Sequence, residues 1–459
     1  MSDATAVDVT ALIENRKLGW FAIRVIVVSW LVTFFDGFDM NVIAFTSKYL
    51  EAAFTIDAKQ LGNVFSIGLV GALLGGFLFG FIGDRFGRRP AIILATAAFS
   101  VLTVALAMAQ SYPQLLVLRF LNGLALGGAI PLVWALNVEF VPRRSRATVV
   151  TLIMLGYSFG VATAGPIARL LLPKFGWPSV FIFGGVASGV GVLLLLAGLP
   201  ESLRYLTTQS GRQGAIIDTL RRMKIPGAFD HATRFVLADE DPGQKRRFHA
   251  ARLFEGKLKL VTPFLWAAYI ASSMSTFFLT SWGPLVLEGL GFNADHAAWL
   301  STVNSVCAAS GGLMLMRFTD RYGPICVAVL PLLAIPLLLT AGLAPVGLTI
   351  FIVFFIGIAL CLGGSHYGVT SIIPLFYPSS IRANGAGWAS SMGKIGSVLG
   401  PFIGGYVISS SLPVRNIYAL LAICPTIYAS CILVIGWLEW REARSLPLAE
   451  APLLAATQD

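Results

Sequence analysis

The chain has 459 residues, of which 56% are hydrophobic and only 12% charged; a soluble domain carries about 25% charged residues. That balance excludes an ordinary soluble protein. The net charge of +10 does not imply a nucleic-acid partner, because the Lys and Arg residues collect in loops between uncharged stretches, as membrane topology demands.

Residues 1–19 are polar, include Glu14, Arg16 and Lys17, and show no cleavable signal pattern, so they read as a tail. A helix needs roughly 20 apolar residues to cross the hydrocarbon core. The first such span enters near Trp20, and others occupy 61–83, 91–118, 175–200, 260–287 and 416–438. The run 325–381 is too long for one crossing, and Ala344-Pro345 with Gly347 breaks it in two. Counted this way the chain is an all-α membrane protein with twelve transmembrane helices. Six lie in 20–199 and six in 257–440, with a charged loop of short surface helices at 200–256 and a second tail at 441–459.

The basic segments Arg16-Lys17, Arg85 to Arg89, Arg143 to Arg146, Arg317 to Arg321, Arg382 and Arg441 to Arg444 fall on one side together with the central loop. This asymmetry puts both termini in the cytoplasm, and the expected location is a bacterial inner membrane. The two halves repeat. Asp84-Arg85-Phe86-Gly87 recurs as Asp320-Arg321-Tyr322-Gly323, and at the same spacing Gly127-Gly128 meets Gly363-Gly364, Pro142 meets Pro378, Arg146-Ala147 meets Arg382-Ala383, and Trp30 meets Trp266. Such internal self-similarity predicts two pseudo-symmetric six-helix bundles with substrate held near the bilayer midplane. The cysteines Cys307, Cys326, Cys361, Cys424 and Cys431 sit inside spans without metal-ligand spacing, so they read as packing residues, and no cofactor or metal is expected.

Ionisable residues inside spans are costly and mark function. At a rise of about 1.5 Å per residue, Asp36 lies about 24 Å along the first span and Arg119 about 9 Å into the fourth from the other face, so both reach similar depth. Asp36 and Asp39 share one helical face. Lys394 lies about 18 Å from Arg382, close to midplane. His366, beside Gly363-Gly364, either meets substrate or bonds a helix carbonyl. Phe34, Phe38, Tyr157, Tyr269, Phe278, Tyr367 and Trp388 can stack on a ring or serve as packing.

The segment Gly80-Phe81-Ile82-Gly83-Asp84-Arg85-Phe86-Gly87-Arg88-Arg89 resembles the helix 2–3 loop signature of the major facilitator superfamily, and Asp320-Arg321-Tyr322-Gly323 is its weaker echo. Its glycines allow close helix approach, and Asp84 suits a helix N-terminus. Arg119-x3-Gly123-x3-Gly127, Glu139-x2-Pro142-x3-Arg146 and Pro200-Glu201-Ser202-Leu203-Arg204 resemble sugar-porter signatures. The resemblance implies a cytoplasmic gate built from Asp84, Arg85, Arg88, Glu139, Arg146, Asp320, Arg321 and Arg382, with Glu201 and Arg204.

A closer resemblance is to the aromatic acid:proton symporter family. It is carried by Asp36-Gly37-Phe38-Asp39, Phe278-Leu279-Thr280-Ser281-Trp282-Gly283-Pro284, Gly385-Ala386-Gly387-Trp388 and Gly393-Lys394-Ile395-Gly396-Ser397. In that family Arg usually stands where this chain has Lys394, so a point charge replaces a bidentate fork. The resemblance implies proton-coupled import of an aromatic carboxylate by alternating access, by a chain that works as a monomer. Asp36, Asp39 and Arg119 would couple protons, and Lys394 would hold the carboxylate. A sugar or polyol porter, another organic-anion porter and an efflux antiporter are the rivals. Hydroxyl recognition favours amides, which 260–287 lacks, and Gly165-Pro166 is followed by Ile167-Ala168-Arg169, not by a glycine pair. An enzyme is not expected, since no nucleophile–histidine pairing or phosphate loop is present.

Overall fold

A computed structural model describes residues 6–14, 18–209, 211–226, 229, 233–236, 250–345, 347–378, 381–410 and 412–445. The basic pairs and runs at Arg16-Lys17 and 245–247, and the tail beyond residue 445, lie outside the described residues.

A short strand β1 (Ala6–Asp8) and helix α1 (Val9–Glu14) precede the first membrane helix, so the segment expected as a tail has regular structure. Helices α2 (Trp20–Phe54), α3 (Ala58–Phe86), α4 (Arg88–Leu106), α5 (Tyr112–Asn137), α6 (Arg143–Phe175) and α7 (Pro178–Gly198) form the first six-helix bundle. The connecting segment holds α8 (Leu203–Thr208), α9 (Gln213–Arg222) and β2 (Arg234–Val236). The second bundle comprises α10 (Leu258–Gly289), α11 (Ala294–Tyr322), α12 (Val329–Leu343) with a 3-10 turn before it, α13 (Leu348–Phe376), α14 (Arg382–Ile408), and α15 (Asn416–Leu421) continuing into α16 (Ile423–Ser445). Among the described residues ten stretches are long and apolar enough to cross a membrane. The more polar α11 and α14 complete the twelve-helix fold.

Local chemistry fixes the helix ends. Asp57 caps α3 in a reciprocal box: its carboxylate accepts from the Gln60 N–H at 2.8 Å, and the Gln60 side chain accepts from the Asp57 N–H at 3.1 Å. Two of the first donors, which have no partner within the helix, are thereby satisfied. Between α3 and α4 the chain turns at Gly87 with φ of 106°, a conformation that excludes other residues. A side chain there would also strike the Glu201 carboxylate and the Tyr205 ring.

Small residues hold the helices together, because apolar lipid gives two helices no hydrophobic reason to associate. The main contacts in the first bundle are α3 with α5, α2 with α6 and α4 with α7. Gly127 presses on Ala72, Gly75 on Leu124, and Gly160 on the Phe34 carbonyl. In the second bundle Gly363 presses on Ala308, Gly311 on Leu360, and Gly396 on the Ile270 carbonyl. These are the same contacts at the repeat spacing read from the sequence, so the duplication extends to individual backbone approaches.

The chain divides into two compact units. The first is Met1–Arg246 with Gly283–Glu288 and Asn293–Thr302; the second is Arg247–Trp282, Gly289–Phe292 and Val303–Asp459. The described residues within 6–14 and 200–236 therefore belong with the first bundle. β1 pairs in parallel with β2, Val7 opposite Phe235. Val9 and Ile13 are buried in a cluster with Leu203, Leu206, Ile216, Leu220 and Phe235.

Candidate functional site

In the first unit, four side chains from three helices form a ring. Arg119 on α5 donates from Nη1 to Asp39 Oδ2 on α2 at 2.7 Å and to Asn122 Oδ1 at 3.1 Å. Asn122 Nδ2 donates to Thr103 Oγ1 on α4 at 2.8 Å, and the Thr103 hydroxyl donates to Asp39 Oδ1 at 3.4 Å. Asp39 is 1% exposed and Arg119 2%. A buried ion pair repays its desolvation only when further hydrogen bonds satisfy both partners, and Thr103 and Asn122 supply them. Arg119 Nε nevertheless has no hydrogen-bond partner among the described residues. The arginine lies across Gly68, where a Cβ would come within 2.9 Å of Nε. Asp36 is buried one turn earlier on α2.

The aromatic residues expected to meet a substrate ring are distributed unequally. Phe34 stacks on Trp30 with ring centroids 5.5 Å apart and meets Phe35 edge-on. Phe38 is buried against Phe183 and Gly184. Tyr157 places its backbone against Gly37.

In the second unit His366 is the hub. Its ring lies 5.7 Å from Tyr269, 6.5 Å from Phe277 and 6.3 Å from Tyr367, centroid to centroid. Its Nδ1 is 3.3 Å from Ser272 Oγ. Thr370 donates to the Tyr269 phenol at 3.3 Å. Gly393, next to the half-buried Lys394, packs directly on the Tyr269 ring. The structure thus brings Tyr269, His366 and Tyr367 together, with the Lys394 backbone beside them. Trp388 stacks on Trp266 at 6.2 Å, and Phe278 packs under Gly404. Phe277 had no distinguishing signal in the sequence, nor had Ser272, Thr370 or Thr103.

A third cluster occupies the end of the first bundle near α8. Glu139 pairs with Arg88 and accepts from the Ser202 hydroxyl at 2.7 Å and from the Arg204 N–H at 3.3 Å. Glu201 accepts from the backbone N–H groups of Arg88 at 2.9 Å and Arg89 at 3.1 Å. It is therefore the anion at the N-terminus of α4, a position that the helix dipole favours. Asp84 and Arg85 are exposed on the last turn of α3, with the Arg85 guanidinium 5.8 Å from the Phe86 ring. Arg146 lines a small cavity with Glu139, Arg204, Val9 and Ile13. Arg321 is exposed, and Arg382 donates from Nε to the Tyr377 carbonyl at 3.4 Å. The Asp320 side chain lies outside the described residues.

The sequence model of the Major Facilitator Superfamily matches residues 29–297 and 265–454. The chain belongs to the Major Facilitator Superfamily. This facilitator is a multi-pass membrane transporter. It is 29% identical over 447 residues to the gallate transporter of Pseudomonas putida, covering 97% of this chain and 98% of that protein. It is 28% identical over 439 residues to the 4-hydroxybenzoate transporter PcaK of the same organism, covering 95% and 98%. Among solved structures it resembles the partially occluded, inward-open xylose transporter XylE from E. coli. The TM-score there is 0.69 at 18% identity, covering 90% of this chain and 97% of that one, a likeness of fold alone.

Proposed function

We propose that this facilitator imports an aromatic carboxylate together with a proton across a bacterial inner membrane, with both termini in the cytoplasm. The observation that carries the reading is the fully buried Asp39–Arg119 pair, closed into a ring by Thr103 and Asn122. A carboxylate at membrane depth that exchanges its arginine for a proton is a coupling device. The names of the gallate and 4-hydroxybenzoate transporters support the substrate class.

Protonation of Asp39, with Asp36 one turn away, removes the counter-charge of Arg119 and breaks the ring. That event biases the conformational equilibrium. Lys394 supplies a cation for the substrate carboxylate, and Tyr269, Phe277, His366 and Tyr367 supply ring faces. The Arg88–Glu139 pair, with Asp84, Arg85 and Arg146 of the same unit, belongs to the cytoplasmic gate.

The test uses purified protein in vesicles with an imposed pH gradient. Radiolabelled 4-hydroxybenzoate should accumulate chemically unchanged, and xylose should not. A charge-assisted hydrogen bond contributes about 1.5–3 kcal/mol, so Lys394→Gln should weaken acid binding about ten- to a hundredfold. The neutral amide should bind poorly to the wild type and lose little more in the variant. Equal losses for acid and amide would mean that Lys394 shapes the site without reading charge, and accumulation of xylose in place of the acid would overturn the substrate class.

A further inference from the structure

The first unit carries a second cavity, at the end of the bundle opposite α8 and α9. Its volume is about 310 Å³, at the lower limit of the about 300–1,000 Å³ typical of small-molecule pockets. Lys48, near the end of α2, and Arg169, near the end of α6, line it with Glu288 and Asp295. Lys48 pairs with Glu288, and Arg169 Nε lies 2.7 Å from Asp295 Oδ1. Both cations are about half exposed, at 54% and 48%. Phe45 and Tyr49 also line the cavity, and Gly165 keeps it open, since a Cβ there would come within 3.0 Å of the Phe45 ring.

Two cations, each with an exchangeable carboxylate partner, and two adjacent rings form a chemical imprint of an aromatic acid. We propose that this cavity is an outer capture subsite for the aromatic carboxylate. The incoming acid takes Lys48 and Arg169 from Glu288 and Asp295 and lays its ring on Phe45 and Tyr49. The inference rests on the reading of the chain as an aromatic-acid importer with cytoplasmic termini, which puts this end of the bundle outside.

Glu288 and Asp295 come from the second half of the sequence, whereas Lys48 and Arg169 come from the first. Exchange of carboxylates therefore frees two segments of the second half as the substrate docks, so ligand arrival and release of the latch are one event. Exposed ion pairs are individually weak, about 0–1 kcal/mol, so a substrate at modest concentration can compete with them.

A purely structural latch and a capture subsite predict different signs. Initial uptake of 4-hydroxybenzoate would be measured in vesicles for the wild type, K48Q, R169Q, E288Q and D295N. Losing a cation should raise the half-saturating concentration about two- to fivefold while leaving the maximal rate within about twofold. Losing an acid removes the competitor and should lower the half-saturating concentration. Added salt should weaken capture in the wild type more than in K48Q/R169Q, since exposed charges are screened over about 8 Å at physiological ionic strength.

Shifts in the same direction for the cation and acid variants, no shift in either, or a fall in maximal rate alone would overturn the subsite while leaving the importer reading intact. A wild type that takes up no aromatic acid would overturn both.

Discussion

Asp39 and Arg119 hold each other in place, each buried against the other. Asp39→Asn would leave a guanidinium buried without its counter-ion, a cost of about 3–5 kcal/mol. The expected outcome is a clearly lower melting temperature in detergent for D39N, partly restored in D39N/R119Q, with neither variant accumulating substrate against a pH gradient. Equal melting of the single and double variants would show that the two charges are not coupled. These residues were legible in the sequence because a charge inside an apolar span has no ordinary reason to be there. Thr103 and Asn122 were not singled out, since uncharged polar residues are common in spans, although Asn122 stands three after Arg119 and so shares its helical face. Of two adjacent phenylalanines, Phe277 faces His366 and Phe278 packs under Gly404. Hydropathy does not separate two adjacent phenylalanines, but a helical step of about 100° does.

At the scale of helices, the same close approaches appear twice, and the repeat makes a paired experiment possible. Gly127 on Ala72 and Gly363 on Ala308 are equivalent contacts. Forcing a branched side chain into a packed interface costs about 1–3 kcal/mol. Gly127→Val and Gly363→Val should therefore lower the melting temperature by similar amounts, each by opening its own bundle. A large loss for one and none for the other would show that the second copy has lost its packing role. The repeat itself was legible from a few motif identities at one spacing. The partners Ala72 and Ala308 were not, because alanine carries neither charge nor marked hydropathy. Helix α1 escaped the sequence reading for a different reason. Its 6 residues are far too few to form a stable helix alone, and burial of Val9 and Ile13 in the cluster with α8 and α9 helps to hold it.

For the whole molecule, the twelve-helix plan was readable because span length and loop charge are set by the bilayer and not by tertiary detail. The first compact unit takes in Gly283–Glu288 and Asn293–Thr302 beside the helices of the first half. Ion pairs and the Thr302 hydroxyl, which donates to the Ala162 carbonyl at 3.1 Å, draw those short segments in, and no local pattern announces such contacts. Coupling is also a property at this scale. Asp36→Asn should abolish accumulation driven by a pH gradient while preserving exchange of labelled for unlabelled acid between equilibrated compartments. Full gradient-driven accumulation in D36N would remove Asp36 from the coupling mechanism.

The pairing of Val7 with Phe235 has a consequence for how the protein is made. The amino-terminal strand leaves the ribosome long before its partner, and at about 5–20 residues per second the interval is roughly ten to fifty seconds. Until α8 and α9 emerge, Val9 and Ile13 lack the part of their cluster that Leu203, Leu206, Ile216 and Leu220 supply, while six helices are inserted one after another. The first bundle is thus sealed last by a strand made before any of its helices. A purification tag or reporter fused directly ahead of Ala6 would sit beside that strand pair.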